Sequence, residues 1–327
     1  LTGSNGKTTT KELIHQVLKI KYKTISTKGN YNNHIGVPLS LLQIKSSTEY
    51  AIIEMGANNF GEIKFLTELV QPDIGYITNF GLAHLEGFKD LNGVIRGKTE
   101  LYNWLIKNNK QILINNDDDE QRNFVNDKAV LFGKDKNSHY QFEQNKSNLI
   151  SLKINEMIIE TQLYGSYNFS NVCAAITLGL ENKIELRKIS KSLKNYSSEN
   201  NRSQIISKNN SEIIMDAYNA NPTSVKGALE SLSNLTNSKL AIIGDMFELG
   251  RFRKKLHVDI GSYAKNSKID ILITFGELSK FASSGFQKKS YNFYNEEQLK
   301  AFIADFIKKN DIVLIKGSRG MKMERFI

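Results

Sequence analysis

The sequence predicts an α/β protein: a P-loop domain with a doubly wound, mostly parallel sheet and a small antiparallel addition, followed by a Rossmann-like α/β domain. Three observations predict this fold. Short apolar runs alternate with amphipathic helical segments along most of the chain. A glycine-rich loop ending in Gly6-Lys7-Thr8 opens the first helix. The length of 327 residues suggests two domains at about 150 residues each.

In the first half of the chain, buried strands alternate with helices. After the loop, Leu13, Ile14, Val17 and Leu18 form the apolar face of a helix. The segments 50–55, 74–78 and 111–114 are typical of short buried strands, and the predicted helices are 61–70, about 90–107, about 168–179 and about 185–195. Residues 129–163 have short β-like stretches without a helical period, which predicts the antiparallel addition.

A polar, turn-rich segment at residues 195–203 places the domain boundary near residue 200. The two expected domains are therefore 1–200 and 201–327. In the second, alternation restarts with predicted strands 212–216, 239–244, 270–275 and 311–315 and predicted helices 223–234, 253–265 and about 296–309.

Composition excludes several classes of protein. The chain is 40% hydrophobic and 24% charged, which is ordinary for a globular protein. Its net charge is +10, but the basic residues are dispersed and not interleaved with aromatics, so we expect no nucleic-acid partner. No apolar run is long enough for a membrane span. The single cysteine, Cys173, excludes an internal disulfide and favours a core role in a reducing compartment.

The loop Gly3-Ser4-Asn5-Gly6-Lys7-Thr8-Thr9 is a candidate phosphate cradle. Its backbone N–H groups and the helix N-terminus would bind phosphates, Lys7 would reach the β- and γ-phosphates, and Thr8 would ligate Mg²⁺. A glycine-rich helix cap without nucleotide is the alternative. The general motif has glycine where Leu1 stands, so this loop is a shorter variant. The strand that normally precedes such a loop is expected before Leu1, outside this chain.

Two further residues, Glu54 and His84, are candidate metal ligands. Glu54 ends an apolar run, the position at which α/β ATPases hold Mg²⁺. His84 follows the strand 74–78, and a neutral imidazole can ligate a metal, although a lone histidine is as often structural. Judged from composition and spacing alone, Lys98 resembles an exposed helix lysine.

Taken together, the motifs resemble the Mur ligases of peptidoglycan synthesis. The resemblance runs from Leu1 to about Glu324 and is carried by these stretches: 2–10, 29–33 with 36–39, 54–57 with 61–63, 79–88, 216–222 with 244–250, and 316–319 with 323–324. The blocks Asp216–Pro222 and Lys316–Arg319 are the most specific and are similar to the branch that adds D-alanyl-D-alanine.

The resemblance implies an activity, cofactors and substrates. It implies an ATP-dependent ligase that joins D-alanyl-D-alanine to UDP-N-acetylmuramoyl-tripeptide through an acyl phosphate, with two Mg²⁺ ions, in the cytoplasm. We expect a monomer. It also implies a further N-terminal domain that binds the UDP moiety and is absent from this chain.

The resemblance also implies residue roles. Lys98 would be carbamylated and ligate the second Mg²⁺ with His84, while Glu54 and Thr8 ligate the first. Lys7, Lys98, His84 and Arg202 are the expected catalytic residues. Asn168, Asn171, Arg202 and Asp216 would contact the nucleotide. The expected substrate contacts are Asn30, Asn32, Asn33, Tyr218, Asn219, Asn221, Lys316, Ser318 and Arg319.

Other functions stay open from the sequence alone. A sibling ligase could add a different amino acid or a glutamate chain. A nucleotide-binding regulatory or scaffold protein would keep the site without turnover. A basic ATPase that binds nucleic acid would show strongly salt-dependent binding.

Overall fold

A computed structural model describes residues 1–198, 201–208, 211–236, 238–307 and 312–327. The chain divides into two compact units. Unit 1 comprises Leu1–Gln162 and Tyr167–Tyr196, and unit 2 comprises Leu163–Ser166 and Ser197–Ile327. Both units are built from parallel strands and helices, so the predicted α/β class is confirmed.

The chain up to residue 196 contains eight α-helices and nine strands. The helices are α1 (Lys7–Leu18), α2 (Gly36–Leu41), α3 (Glu62–Val70), α4 (Leu85–Phe88), α5 (Leu91–Lys107), α6 (Asp119–Arg122), α7 (Phe169–Glu181) and α8 (Leu186–Lys194). The strands are β1 (Thr24–Ser26), β2 (Tyr50–Ile52), β3 (Ile74–Tyr76), β4 (Gln111–Asn115), β5 (Ala129–Gly133), β6 (Tyr140–Gln141), β7 (Glu143–Gln144), β8 (Leu149–Ile154) and β9 (Met157–Tyr164).

The first two residues of the chain lie between β2 and β3. The amide of Met55 donates to the Leu1 carbonyl at 2.8 Å, Thr2 donates to Tyr76 at 3.0 Å, and Thr78 donates back to Thr2 at 2.9 Å. Residues 1–2 therefore form a short parallel strand segment that joins the pair β1-β2 to the sheet β3-β4-β5-β6. The expectation that the strand before the phosphate loop lies wholly outside the chain is wrong.

The antiparallel addition is smaller than the sequence suggests. Strands β7, β8 and β9 form a separate three-stranded sheet, in which β7 and β8 are antiparallel. Strand β5, at the start of the segment assigned to the addition, instead pairs in parallel with β4. A short apolar run such as Ala129–Phe132 fits any buried strand, so its pattern does not reveal its partner.

Unit 2 has a six-stranded sheet in the order β10-β11-β15-β12-β13-β14. Its strands are β10 (Gln204–Lys208), β11 (Ser211–Asp216), β12 (Lys239–Gly244), β13 (Ile271–Phe275), β14 (Ser290–Phe293) and β15 (Ile312–Lys316). Its helices are α9 (Pro222–Ser233), α10 (Arg253–Asn266), α11 (Lys280–Phe286) and α12 (Glu296–Phe306). All neighbours are parallel except the edge strand β10, which is antiparallel to β11.

The sequence missed β10, β14 and α11, and it extended two elements into residues 308–311. Those residues lie outside the described part of the chain. Among the described residues, no helix is both long and apolar enough to cross a membrane. Cys173 lies in the core of unit 1 as expected, and burial raises the pKa of its thiol well above the usual value.

The fully buried hydroxyl of Tyr102 links α5 to strand β4 and to the residue that follows β3. It accepts from the Ile77 amide at 3.2 Å and donates to the Leu113 carbonyl at 2.7 Å.

Replacement of Tyr102 by Phe removes the hydroxyl that these buried backbone groups bind, so we expect a loss of about 1–3 kcal/mol in the free energy of unfolding. Urea denaturation measures it. Tyr294→Phe, on a ring that is 54% exposed, is the control and should change stability by less than about 0.5 kcal/mol. Equal effects of the two substitutions would contradict the role of the Tyr102 hydroxyl.

Candidate nucleotide and metal site

The phosphate loop precedes α1 in unit 1 and contains two glycines in conformations that other residues rarely adopt. Gly3 has φ 143° and Gly6, which precedes Lys7, has φ 79°. Lys7 Nζ donates to the carbonyls of Gly3 at 2.8 Å and Ser4 at 3.3 Å. Within the described chain, no side chain caps the N-terminus of α1. Its first amides and the ammonium of Lys7 therefore form a cationic cradle suited to an anion.

The residues after β3 support this loop from one side. The Ser4 amide donates to the Asn79 carbonyl and the Asn5 amide to Asn79 Oδ1, both at 3.1 Å. Thr78 Oγ1 donates to the Asn5 carbonyl at 2.6 Å, and the Gly81 amide donates to Ser4 Oγ at 2.9 Å. These bonds fix the loop's backbone without occupying its N-terminal helix amides.

Two buried asparagines support the loop from α7. Asn171 Oδ1 accepts from Thr10 Oγ1 at 3.0 Å, and Asn171 Nδ2 donates to Asn168 Oδ1 at 2.9 Å. A Cβ atom on Gly6 would lie 2.7 Å from Asn171 Oδ1. The structure therefore places Asn168 and Asn171 beside the loop, where the resemblance predicts nucleotide contacts.

Glu54 lies just beyond β2 and is only 1% exposed. Its Oε1 accepts from Asn32 Nδ2 at 2.8 Å. Its Oε2 accepts no hydrogen bond from the described residues and lies 3.6 Å from the ammonium of Lys11. Lys11 could not be recognised from the sequence, because one lysine among the polar residues of an amphipathic helix gives no distinguishing signal.

Lys98, on α5, is buried with 1% exposure. Its Nζ donates to the Ala57 carbonyl at 3.2 Å and lies 5.3 Å from the centre of the Phe88 ring. Burial, and then the charge of Lys7, lower the pKa of Lys98 well below its usual value. This lysine is therefore suited to be a neutral nucleophile, which the sequence pattern alone did not indicate.

His84 precedes α4, with φ 54°, and is half-buried. In the part of the chain that the structure describes, no three His, Cys, Asp or Glu residues are grouped closely enough to hold a metal ion. The donor set expected for the metals includes the Thr8 hydroxyl and a carbamate on Lys98, neither of which belongs to those residue types. The buried Oε2 of Glu54, which accepts no hydrogen bond, fits a cation ligand.

The asparagines of residues 29–33 differ in their surroundings. Asn32 contacts Glu54, as described above. Asn33 Oδ1 accepts from the amides of Ile35 at 3.1 Å and Gly36 at 2.9 Å at the start of α2. Asn30 is exposed. The structure thus brings Asn32, but not all three side chains, to the carboxylate of Glu54.

In unit 2, the expected site residues cluster where parallel strands end. Asp216 and Lys316 are in register on β11 and β15. Lys316 is 2% exposed, and its Nζ lies 2.5 Å from Asp216 Oδ2 and donates to the Asn219 carbonyl at 3.1 Å. Asp216, expected at the ribose, and Lys316, expected near the acceptor, therefore form an ion pair in the structure.

The neighbouring residues show a range of exposure. Arg202 lies with its guanidinium carbon 3.5 Å from the centre of the Tyr218 ring. Arg319 is half-exposed and pairs with Glu324 at 2.6 Å. Asn221 caps α9, accepting from the Ser224 amide at 2.9 Å and donating from its own amide to Ser224 Oγ. The Asn221 side chain thus forms the capping box at the start of α9.

A buried histidine that the sequence left without a role fixes the loop at residues 244–250. His257 Nε2 accepts from the Met246 amide at 3.1 Å, and its Nδ1 bonds to the Arg253 carbonyl at 2.7 Å. Burial lowers the pKa of His257, consistent with a neutral ring whose Nε2 accepts. Ser318 Oγ accepts from the Phe247 amide at 2.8 Å, so Ser318 also binds this loop.

A phosphate loop at the centre of a parallel sheet, with a buried acid beyond the next strand, defines a P-loop nucleotide-binding α/β protein. The chain belongs to the Mur ligase family. Residues 1–179 match the family described as Mur ligase middle domain, and residues 201–319 match the one described as Mur ligase, glutamate ligase domain.

Curated relatives match along the whole chain. A Bacillus subtilis protein is 34% identical over 339 residues, which cover 100% of this chain and 74% of the relative. A protein of Buchnera aphidicola from Baizongia pistaciae is 37% identical over 338 residues, covering 99% and 73%. Both are named UDP-N-acetylmuramoyl-tripeptide--D-alanyl-D-alanine ligase.

Solved structures are similar as well. MurF from Acinetobacter baumannii has a TM-score of 0.89 at 29% identity, covering 99% of this chain and 74% of its own. MurF ligase from Thermotoga maritima, solved in complex with ADP, has a TM-score of 0.88 at 26% identity and covers 100% and 77%.

Gly6→Ala tests the geometry of the loop. The residue has φ 79° and its added Cβ would meet the Asn171 amide, whereas Gly61, with φ 82°, has nothing within 4 Å of the added atom. Each substitution should lower the free energy of unfolding by about 1 kcal/mol, because alanine is strained in a left-handed backbone conformation. Only Gly6→Ala also displaces Asn171. We expect Gly6→Ala to weaken ADP binding by about tenfold or more, measured by calorimetry.

Gly61→Ala is the matched control and should leave ADP affinity within about twofold, because a twofold change is well under 1 kcal/mol. Equal ADP affinities of the two variants would contradict a nucleotide site at this loop.

Proposed function

We propose that the chain is an ATP-dependent ligase that joins D-alanyl-D-alanine to UDP-N-acetylmuramoyl-tripeptide. The observation that carries the proposal is the identity of 34–37% along the whole chain to relatives named for this reaction. The cationic loop before α1 supports it, and the ADP complex of the Thermotoga maritima neighbour supports ATP as the nucleotide.

The reaction has two covalent steps. The terminal carboxylate of the tripeptide attacks the γ-phosphorus of ATP, so that an acyl phosphate forms and ADP leaves. The amine of D-alanyl-D-alanine then attacks the acyl carbon, the amine loses a proton, and phosphate leaves with the electrons of the broken C–O bond. The first step brings two anions together, so its main requirement is neutralisation of charge.

The residues of unit 1 supply that charge. Lys7 would leave the carbonyls of Gly3 and Ser4 to bind the β- and γ-phosphates, while the amides at the start of α1 orient the phosphate chain. Thr8 and Glu54 would hold one Mg²⁺. His84 and a carbamate on Lys98 would hold a second. Bound there, the two ions would supply positive charge to the phosphate and carboxylate oxygens.

Carbamylation of Lys98 accounts for its burial. The neutral amine attacks CO₂, a C–N bond forms, and one proton is released, which leaves an anionic carbamate. The depressed pKa of Lys98 favours the amine that this step needs. The product turns a buried amine into an anionic oxygen ligand for Mg²⁺.

Further residues are assigned by the same resemblance. Asn168 and Asn171 would contact the nucleotide, as would Arg202 at phosphate and Asp216 at the ribose. Arg319 is suited to the acceptor's carboxylate because a guanidinium binds it bidentately, with Lys316 and Ser318 nearby. The remaining proposed substrate contacts are Asn30, Asn32, Asn33, Tyr218, Asn219 and Asn221.

We extend the proposal to the domain organisation, the oligomeric state and the cellular location. Residues 1–200 would be the ATP-binding domain and residues 201–327 the C-terminal ligase domain. The enzyme would act as a monomer, without nucleic acid, in the cytoplasm, where ATP is supplied.

Acceptor choice tests the proposed function directly. In an assay of ADP release with UDP-N-acetylmuramoyl-tripeptide, we expect turnover with D-alanyl-D-alanine and little with D-alanine, L-lysine or L-glutamate. Faster turnover with a single amino acid would favour a sibling ligase. Nucleotide binding without turnover on any acceptor would favour a regulatory protein.

Lys98→Ala tests the carbamate. We expect at least about a thousandfold loss of kcat, which is about 4 kcal/mol of transition-state stabilisation, with ADP affinity largely kept because Lys7 and the loop remain. A ¹³C carbamate signal from the protein in ¹³C-bicarbonate should disappear as well. Lys107→Ala, at an exposed position on the same helix, should change neither readout. Normal turnover of Lys98→Ala would contradict the role.

A further inference from the structure

The ion pair between Lys11 and Glu54 is buried on both sides. The two side chains are 2% and 1% exposed, and the charged atoms are 3.6 Å apart. Removing two charges from water costs several kcal/mol each, so such a pair persists only where further polar contacts compensate. Three hydrogen bonds to Lys11 and Glu54 come from one segment, residues 27–33.

Lys11 also binds the backbone of that segment. It lies one turn after Lys7 on α1, so that both side chains project from the same side of the helix. Lys11 Nζ donates to the Gly29 carbonyl at 2.8 Å. The helix that begins at the phosphate loop is thus tied directly to the start of the stretch Gly29–Asn33.

Glu54 fixes the other end of the same stretch. Its Oε1 accepts from Asn32 Nδ2 at 2.8 Å, and the amide of Gly56 donates to the Asn32 carbonyl at 2.7 Å. The Glu54 amide donates to Thr27 Oγ1 at 3.0 Å. The stretch Gly29–Asn33 is therefore held to Lys11 through Gly29 and to Glu54 through Asn32.

We propose that Lys11 is a positioning residue that couples the nucleotide helix and the carboxylate of Glu54 to the substrate-binding asparagine stretch, residues 29–33. This inference deepens the proposed function and rests on it for the identity of the substrate. Lys11 has two separable effects. Its bond to Gly29 orders the asparagine stretch, and its charge beside Oε2 opposes the binding of a divalent cation to Glu54.

The two effects predict changes of opposite sign when the ammonium is removed. In Lys11→Met, the Gly29 carbonyl loses its donor, so the asparagine stretch should loosen and bind substrate less well. Glu54 loses its neighbouring positive charge, so its affinity for a divalent cation should rise. A lysine with only a structural role would weaken both ligands together or change neither.

Lys11→Met is compared with wild type by three measurements. We expect the KM for UDP-N-acetylmuramoyl-tripeptide to rise about tenfold while the KM for ATP stays within about twofold. Amide hydrogen exchange of residues 28–33 should accelerate. The affinity for Mn²⁺, measured by electron paramagnetic resonance, should rise by at least about threefold. Lys19→Met, on an exposed lysine just after the same helix, should behave as wild type in all three.

Two more variants test the charge of Lys11 separately and provide for a Lys11→Met protein that does not fold. Lys11→Arg keeps the charge and should return Mn²⁺ affinity toward that of wild type. If Lys11→Met does not fold, the double variant Lys11→Met with Glu54→Gln removes both buried charges. Its residues 28–33 should still exchange faster than in wild type, since the donor to Gly29 is gone.

The outcomes separate this inference from the proposed function. Unchanged hydrogen exchange at residues 28–33 together with unchanged or weaker Mn²⁺ binding in Lys11→Met overturns the role of Lys11, whatever the turnover. Absence of ligase turnover in wild type, with exchange and Mn²⁺ binding changed as expected, overturns the proposed reaction and leaves the coupling of Lys11 standing.

Discussion

The position of residues 1–2 between two parallel strands determines the geometry of the site in unit 1. Backbone hydrogen bonds hold Leu1 to Met55 on one side and Thr2 to Tyr76 and Thr78 on the other. Because parallel strands end at one edge, the phosphate loop, the residues beyond β2 and those beyond β3 all emerge there. Glu54 and Asn79 consequently flank the loop without any further arrangement of the chain.

Each of the two units contains buried lysine side chains. Lys11 and Lys98 lie inside unit 1, each 1% exposed, and Lys316 is buried beside Asp216 in unit 2. Lys11 and Lys316 each contact a carboxylate and a backbone carbonyl, which offset the cost of burying a charge. Burial instead lowers the pKa of Lys98 well below its usual value. The family resemblance assigns the carbamate to Lys98, and its lowered pKa favours the neutral amine that carbamylation needs.

The sequence predicted the elements that have strong periodicity or special residues. Helix α5, the strand before Glu54 and the loop Gly3–Lys7 each carry an independent local signal. Edge strand β10 was missed because Gln204–Lys208 has only a short, partly polar pattern. Strand β5 was assigned to the antiparallel addition because an apolar run does not specify its partner.

Site roles were less accessible to sequence than the fold. The pairs Lys11 with Glu54 and Asp216 with Lys316 depend on strand register and helix phase between distant segments. Buried His257 shows the same limit, since its partners at Met246 and Arg253 are visible only in three dimensions. Family resemblance located Lys98, whereas composition and spacing described it as a surface lysine.

The claim that the sheet presents a preformed phosphate cradle is tested most directly by a crystal structure of this chain with ADP and Mg²⁺. The account predicts the β-phosphate on the amides at the start of α1, with Lys7 Nζ moved from the Gly3 and Ser4 carbonyls to phosphate oxygens. The bonds from Thr78 and Asn79 to the loop should be unchanged. Diphosphate bound elsewhere, or a loop that must break those bonds to accept it, would contradict the account.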